Sequence, residues 1–174
     1  VRPGPILTLD LAKKLGWCAG VPGQTPRFGT VQLRGSCHGE VYAALGNWLE
    51  DARQVHAPAT IIFEAPLVSG QHLGMNAARL AFGMVGQVEL FCWDNSITCL
   101  EEHVGRTRKA VMGRGSFPKG KAKEEVARWL ADRGYRPGDD NAADALLLFL
   151  HVEQTAGIRQ PEPGGMFARA GGFG

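Results

Sequence analysis

Apolar residues recur along this chain in two rhythms, and the switches between them lay out its elements. Residues 5–11 and 28–33 are short, β-rich apolar runs, with Leu15-Gly16-Trp17-Cys18-Ala19-Gly20-Val21 between them. A polar turn, Ala12-Lys13-Lys14, separates the first two, and Pro22-Gly23 with Thr25-Pro26 separates the second from the third. Arg34-Gly35-Ser36 closes the set. Connections this short have no room for a crossover helix, so the pattern predicts an antiparallel meander of three strands. Over 39–56 the period lengthens. Val41, Ala44, Leu45, Trp48, Leu49, Ala52 and Val55 form one apolar stripe of a helix that Ala57-Pro58 stops. The unbroken run at 60–64 predicts a strand buried on both faces, reached through a helical crossover and therefore parallel to its neighbour.

Further on, 72–92 reads as a helix apolar nearly all round, in which Gly83 and Gly86 allow a neighbour to come close. Residues 96–100 predict a fifth strand. Gly113 to Pro118 is too rich in breakers for a helix, while Ala122, Val126, Trp129 and Leu130 mark one that ends near Gly134. A last helix is expected over 140–154. Beyond it the final twenty residues hold six glycines and two prolines without periodicity. The expected organisation is one domain over 1–154 and a loosely attached Gly/Pro-rich tail over 155–174.

Composition narrows the classes. With 174 residues and 44% hydrophobic content the chain can bury a full single core. No run reaches the ~18 apolar residues of a membrane span, and no charged, cleavable leader is read at its start. Cysteines 18, 37, 92 and 99 show neither a CxxC nor a histidine pairing, which argues against zinc and for reduced thiols in a cytoplasm. The net charge of +2 conceals an uneven spread. Arg106, Arg108, Lys109, Arg114, Lys119, Lys121, Lys123 and Arg128 face only Glu124 and Glu125, so this segment is +6 and the remainder −4. A basic stripe beside an acidic remainder fits a phosphate polymer; a solvated loop and helix face is the plainer reading.

The acids supply the candidate chemistry. Asp10 ends the first apolar run, Glu64 ends Ile61-Ile62-Phe63, and Asp144 lies inside the Ala/Leu run that begins Asp139-Asp140-Asn141-Ala142-Ala143. Asp140 and Asp144, four apart, share a helix face. Two carboxylates ~5 Å apart repel by roughly 3 kcal/mol at an effective dielectric of ~20, so such a cluster needs a proton or a hard cation inside it. Asp10, Glu64 and Asp144 are accordingly candidate ligands of magnesium, with Asp140 or Asn141 as the source of a fourth oxygen. Asp140 can equally be the N-cap of its helix. His151, seven residues after Asp144, reads as a hydrogen-bonded core histidine before a catalytic one.

Taken together these positions resemble the RuvC family of Holliday-junction resolvases within the RNase H-like superfamily, in particular the compact forms carried by phages and prophages. The resemblance covers 5–154 and rests on Asp10 followed by a turn and Gly16-Trp17, on Glu64 after the fourth strand, and most specifically on 139–147. Lys109 with Gly113, and Ala122 to Val126, resemble the family's basic stretch. The chain departs from the family at Asn141, where an Asp is usual, and at Lys13-Lys14, which replace a small, Gly/Ser/Thr-rich turn.

What the resemblance implies is an α/β RNase H-like fold, a mixed five-stranded sheet in order 3-2-1-4-5 with helices on both faces. It further implies a homodimeric, cytoplasmic endonuclease dependent on Mg2+ (or Mn2+), with two ions, that nicks four-way or other branched DNA. Asp10, Glu64, Asp140 and Asp144 are its expected metal-binding and catalytic acids. Lys109, Arg114, Lys119, Lys121 and Lys123 are the expected DNA-binding residues. A catalytically silent branched-DNA-binding protein of the same fold is the alternative. An actin-like or sugar-kinase ATPase fits poorly, since Leu11-Ala12-Lys13-Lys14 lacks a phosphate-binding glycine.

Overall fold

A computed structural model describes residues 4–66, 74–118 and 120–155. Strands β1 (Ile6–Asp10), β2 (Lys14–Gly20) and β3 (Arg27–Gln32) form the expected antiparallel meander. Helix α1 (His38–His56) then crosses over to β4 (Thr60–Glu64), which pairs parallel to β1. Helix α2 (Met75–Asp94) leads to β5 (Thr98–Glu102), parallel to β4. The sheet order is β3-β2-β1-β4-β5, as the sequence predicted. Helices α3 (Val104–Met112), α4 (Ala122–Asp132) and α5 (Asp140–Thr155) complete the chain.

Strand alternation sorts the core into two layers. Leu7, Leu9, Ile61 and Phe63 face α1 and α2, packing against Val41, Leu45, Leu49, Met84 and Val88. Ile6 and Ile62 face the other way, toward α5 with Val111, Val126 and Leu130 of α3 and α4. Full burial of one leucine contributes roughly 1.5–3 kcal/mol, and Val41, Leu45, Leu49 and Ala52 are the buried residues by which α1 packs on its face.

The deepest element is α5, buried from Ala142 through Glu153 apart from Asp144. Small side chains at Ala142, Ala143 and Ala145 let it lie close over β1 and β2. The Thr8 hydroxyl, fully buried in β1, donates to the Ala145 carbonyl at 2.7 Å. Gly16 of β2 sits under the Asn141 carbonyl, where a Cβ would run into backbone. On the opposite side, Gly83 of α2 receives the ring of Tyr42, whose hydroxyl donates to the Arg79 carbonyl at 2.8 Å.

Several expectations need correction. Helix α3 was not foreseen, because its inward positions, Thr107 and Val111, are sparse among Arg106, Arg108 and Lys109. Lys14 belongs to β2 rather than to the preceding turn, and β5 begins two residues later than expected and ends on Glu102. Helix α2 runs on to Asp94; positions 72–73 of the expected helix lie outside the described residues, as do Lys119 and 156–174 of the expected tail. Among the described residues no helix is long and apolar enough to cross a membrane.

Substituting Gly16→Ala should cost at least about 1–3 kcal/mol, the range for overpacking, because the obstacle is helix backbone. Gly105→Ala, with open space at its Cβ position, should be neutral or gain up to ~1 kcal/mol. Thermal melting of the two variants checks this directly.

Candidate active site

Three strands deliver acids to one edge. In the β1–β4 register Leu9 lies beside Phe63, so the next residues, Asp10 and Glu64, end their strands side by side. Glu64 in turn pairs with Glu102 of β5. Asp10 and Glu64 lie two or four residues beyond the α5-facing positions Ile6, Thr8 and Ile62 and so stand on the α5 face, and Glu102, in register with Glu64 and 3.6 Å from His151 of α5, lies on that side too. Above them comes the first part of α5. Asp139, not Asp140, caps it: its carboxylate accepts the Ala142 amide at 3.0 Å, the Thr30 hydroxyl at 3.0 Å and the Lys14 ammonium at 2.8 Å. Burial would raise the Asp139 pKa, and these bonds together bring it below its ordinary value. The cap thus ties the helix to β2 and β3 and sets Asp144 one turn in.

The three expected acids share one electrostatic environment. Burial, then the charges of Asp144 and Asp139, push Asp10 up to about 7 against the pull of Lys123 and Arg108. Burial, Asp144 and Asp10 push Glu64 up to about 8, with Arg108 opposing. Arg108 of α3 is the cation at the centre: its Nη2 lies 3.1 Å from Asp144 Oδ1, both side chains about one-fifth exposed. Its Nε is buried without a hydrogen-bond partner. The sequence reading counted Arg108 in the basic stripe but gave it no role, since only the unforeseen helix aims it inward. Glu102 was missed because β5 was expected to stop at residue 100.

The remaining candidates divide. Lys123 reaches the site's margin, 2.6 Å from the half-exposed Asp140, and the carboxylates around it raise its pKa, Asp140 first. Asp140 is not among the charges that raise Asp10 or Glu64. Asn141 gives its side-chain amide to the Lys14 carbonyl. Lys121 pairs with Glu124 at 2.8 Å, and Arg114 with Glu125 while lying over the Phe117 ring, so neither faces the acids. Lys109 is exposed on α3. His151 is buried, its Nε2 3.6 Å from Glu102 Oε1 and its Nδ1 without a partner.

The donors are carboxylate oxygens on two strand ends and one helix, the kind a hard divalent cation takes, and burial, with the neighbouring carboxylates, holds Asp10 and Glu64 above the usual carboxylate range. In kind, then, Asp10, Glu64 and Asp144 fit such an ion. Among the described residues no three such side chains already close around one point, and Asp144 is engaged by Arg108.

Comparison with solved structures places this architecture. Thermus thermophilus RuvC superposes with a TM-score of 0.68 at 20% identity, over 90% of this chain and 99% of that one. The T. thermophilus RuvC structure in complex with a Holliday junction substrate gives 0.68 at 17% identity, covering 91% and 99%. The fold is that of RuvC. The yeast mitochondrial Holliday junction resolvase Ydc2 is more distant, with a TM-score of 0.56 at 10% identity over 90% of this chain and 82% of that one. No family model matches the sequence, and no curated protein is significantly similar to it.

The raised acids give a pH signature. Asp10 and Glu64 bind protons more tightly in the folded than in the unfolded chain, so their contribution favours folding at acid pH and is lost as pH rises through about 7 and about 8. In chelator-treated protein, Asp10→Asn and Glu64→Gln should each flatten the fall in melting temperature that runs from the ordinary carboxylate range up to about pH 7 and about pH 8, and raise the midpoint above it. Lower alkaline midpoints in both variants would show these charges to be favourably paired instead.

Proposed function

We propose that this protein is a divalent-metal-dependent endonuclease acting on branched DNA, Holliday junctions first. The observation that supports the reading is the mutual electrostatic influence of Asp10, Glu64 and Asp144, from two strands and a helix, with Arg108 and Lys123 acting on the same cluster. The RuvC architecture supports it, as does the junction bound to a protein of that fold.

In this reading Asp10, Glu64 and Asp144 would hold magnesium or manganese, and two ions would fit the chemistry of in-line displacement. When bound, such ions activate a water nucleophile and stabilise the departing oxygen, with no covalent enzyme intermediate. The strand ends fix Asp10 and Glu64, and the capped start of α5 fixes Asp144, so little reorganisation of backbone is required. Arg108 and Lys123 hold the scissile phosphate against the acids, and Asp140 orients Lys123. Lys109, Lys119, Lys121 and Arg114 serve the flanking backbone. In a phage or prophage setting such an enzyme would debranch DNA before packaging.

A second copy completes the reading. Met75, Phe82, Leu90 and Trp93 are exposed on one side of α2, a stripe at helical spacing that suits an isologous homodimer. Phe82→Glu with Trp93→Glu should yield a monomer by light scattering where the wild type is a dimer.

One observation favours the alternative, a silent branched-DNA binder: Asp144 is already neutralised by Arg108. Nicking of a synthetic four-way junction decides between them. The nuclease requires magnesium-dependent cleavage that Asp144→Asn lowers by roughly 100-fold or more, the scale for loss of one transition-state stabiliser. The silent binder retains junction affinity without cleavage at any metal concentration. With about four phosphate contacts, log K should fall against log salt with a slope near −3.6.

A further inference from the structure

Arg108 is incompletely matched to the partner it holds. Arginine and carboxylate are frequently joined fork to fork, through two parallel hydrogen bonds. Here one bond is made, from Nη2 to Asp144 Oδ1 at 3.1 Å, in a pair whose side chains are both about one-fifth exposed. The Nε of the same guanidinium is buried and has no hydrogen-bond partner among the described residues, although a buried donor left unmet is costly. The α3 helix that carries it has no capping side chain and is anchored inward at Thr107 and Val111.

The charge of this guanidinium reaches further than its hydrogen bond. It opposes the rise of both Asp10 and Glu64, so all three acids lie within its field, where a divalent ion would also act on them. Lys123 differs. It is largely exposed, is bound to Asp140 at 2.6 Å, and acts on Asp10 but is not among the charges that act on Glu64. A divalent ion brings twice the charge and takes several oxygens at once. A phosphate offers a guanidinium two parallel acceptors, and so a partner for the donor that Asp144 leaves unmet.

We propose that Arg108 is an internal counter-cation that occupies Asp144 until a divalent ion replaces it there and a backbone phosphate receives it. The proposal rests on the metal-site reading above and deepens it, by naming what the ion must displace. The neutralised Asp144 then belongs to the resting state of a nuclease and no longer favours a silent binder. An ion that takes only those molecules in which Asp144 is free has its apparent affinity lowered by their fraction.

Manganese titration of the full chain, read from the free-ion paramagnetic signal, tests this without DNA or cleavage. Arg108→Gln should bind manganese about 10-fold more tightly than wild type, the gain expected if Asp144 is free in about one molecule in ten. Arg108→Lys, which keeps a cation but not the fork, should lie between the two, and decides in the same direction if the glutamine variant does not fold. Lys123→Gln should tighten binding by no more than about 3-fold, since salt screens an exposed charge. Melting separates competition from damage to the fold. In chelator Arg108→Gln should melt below wild type, because Asp144 has lost its partner, and saturating manganese should raise its midpoint by more than that of wild type. Equal or weaker binding by Arg108→Gln overturns the proposal, and so does equal tightening in Lys123→Gln, the mark of a general charge effect. In either case, binding that is lost in Asp144→Asn leaves the metal site standing. If neither wild type nor Arg108→Gln binds manganese better than Asp144→Asn, the metal-site reading itself fails.

Discussion

Burying like charges together is the constraint around which this structure is arranged. A pair of unit charges ~5 Å apart repels by about 3 kcal/mol at an effective dielectric of ~20, against a typical folding stability of roughly 5–15 kcal/mol. Asp10, Glu64 and Asp144 therefore cannot all be charged in a partly buried site without positive charge near them. The protein meets this in two ways: Asp10 and Glu64 hold their protons to higher pH, and Arg108 stands against Asp144. Both are provisional solutions, since a proton is lost as pH rises and a guanidinium can turn away.

What keeps the acids together despite their repulsion is apolar and lies behind them. The α5 helix is buried along almost its whole length, on the sheet below and under α3 and α4. The Thr8 hydroxyl on the Ala145 carbonyl sits next to Asp144 in sequence and fixes its height over β1. Gly16 under Asn141 fixes the approach over β2, and the Asp139 cap with Lys14 and Thr30 fixes the rotation. Packing of this kind holds side-chain positions that electrostatics alone would spread apart.

The sheet and the principal acids were legible because they follow from local pattern. Apolar runs that stop at a carboxylate mark strand ends, and an Asp inside an Ala/Leu run has no role in packing. Helix α3 was not legible, because its one-sided apolar contact is confined to Thr107 and Val111 between basic residues. Arg108 went with it, for a basic residue's aim depends on the rotation of a helix that had not been recognised. Glu102 was lost to a two-residue error in a strand boundary, since register across β4 and β5 is a tertiary fact. The cap fell one residue from its anticipated place, on Asp139, where hydroxyl and ammonium partners from β2 and β3 select it over Asp140.

The basic segment shows how charge counting and charge placement differ. Lys121–Glu124, Arg128–Glu125 and Lys123–Asp140 pair a mostly exposed cation with an acid, and exposed pairs contribute only about 0–1 kcal/mol each. A polyanion can draw those cations away at little cost. The Arg108–Asp144 pair is different: both side chains are about one-fifth exposed, and removing one partner leaves the other charge poorly solvated. In the proposed reaction, the lysines at the rim are thus free to meet DNA first, while opening of the carboxylate cluster waits on Arg108. The order follows from burial alone. The most exposed charges exchange partners readily, and in the proposed reaction the less exposed pair would open as a cation reached Asp144 and a phosphate reached the arginine.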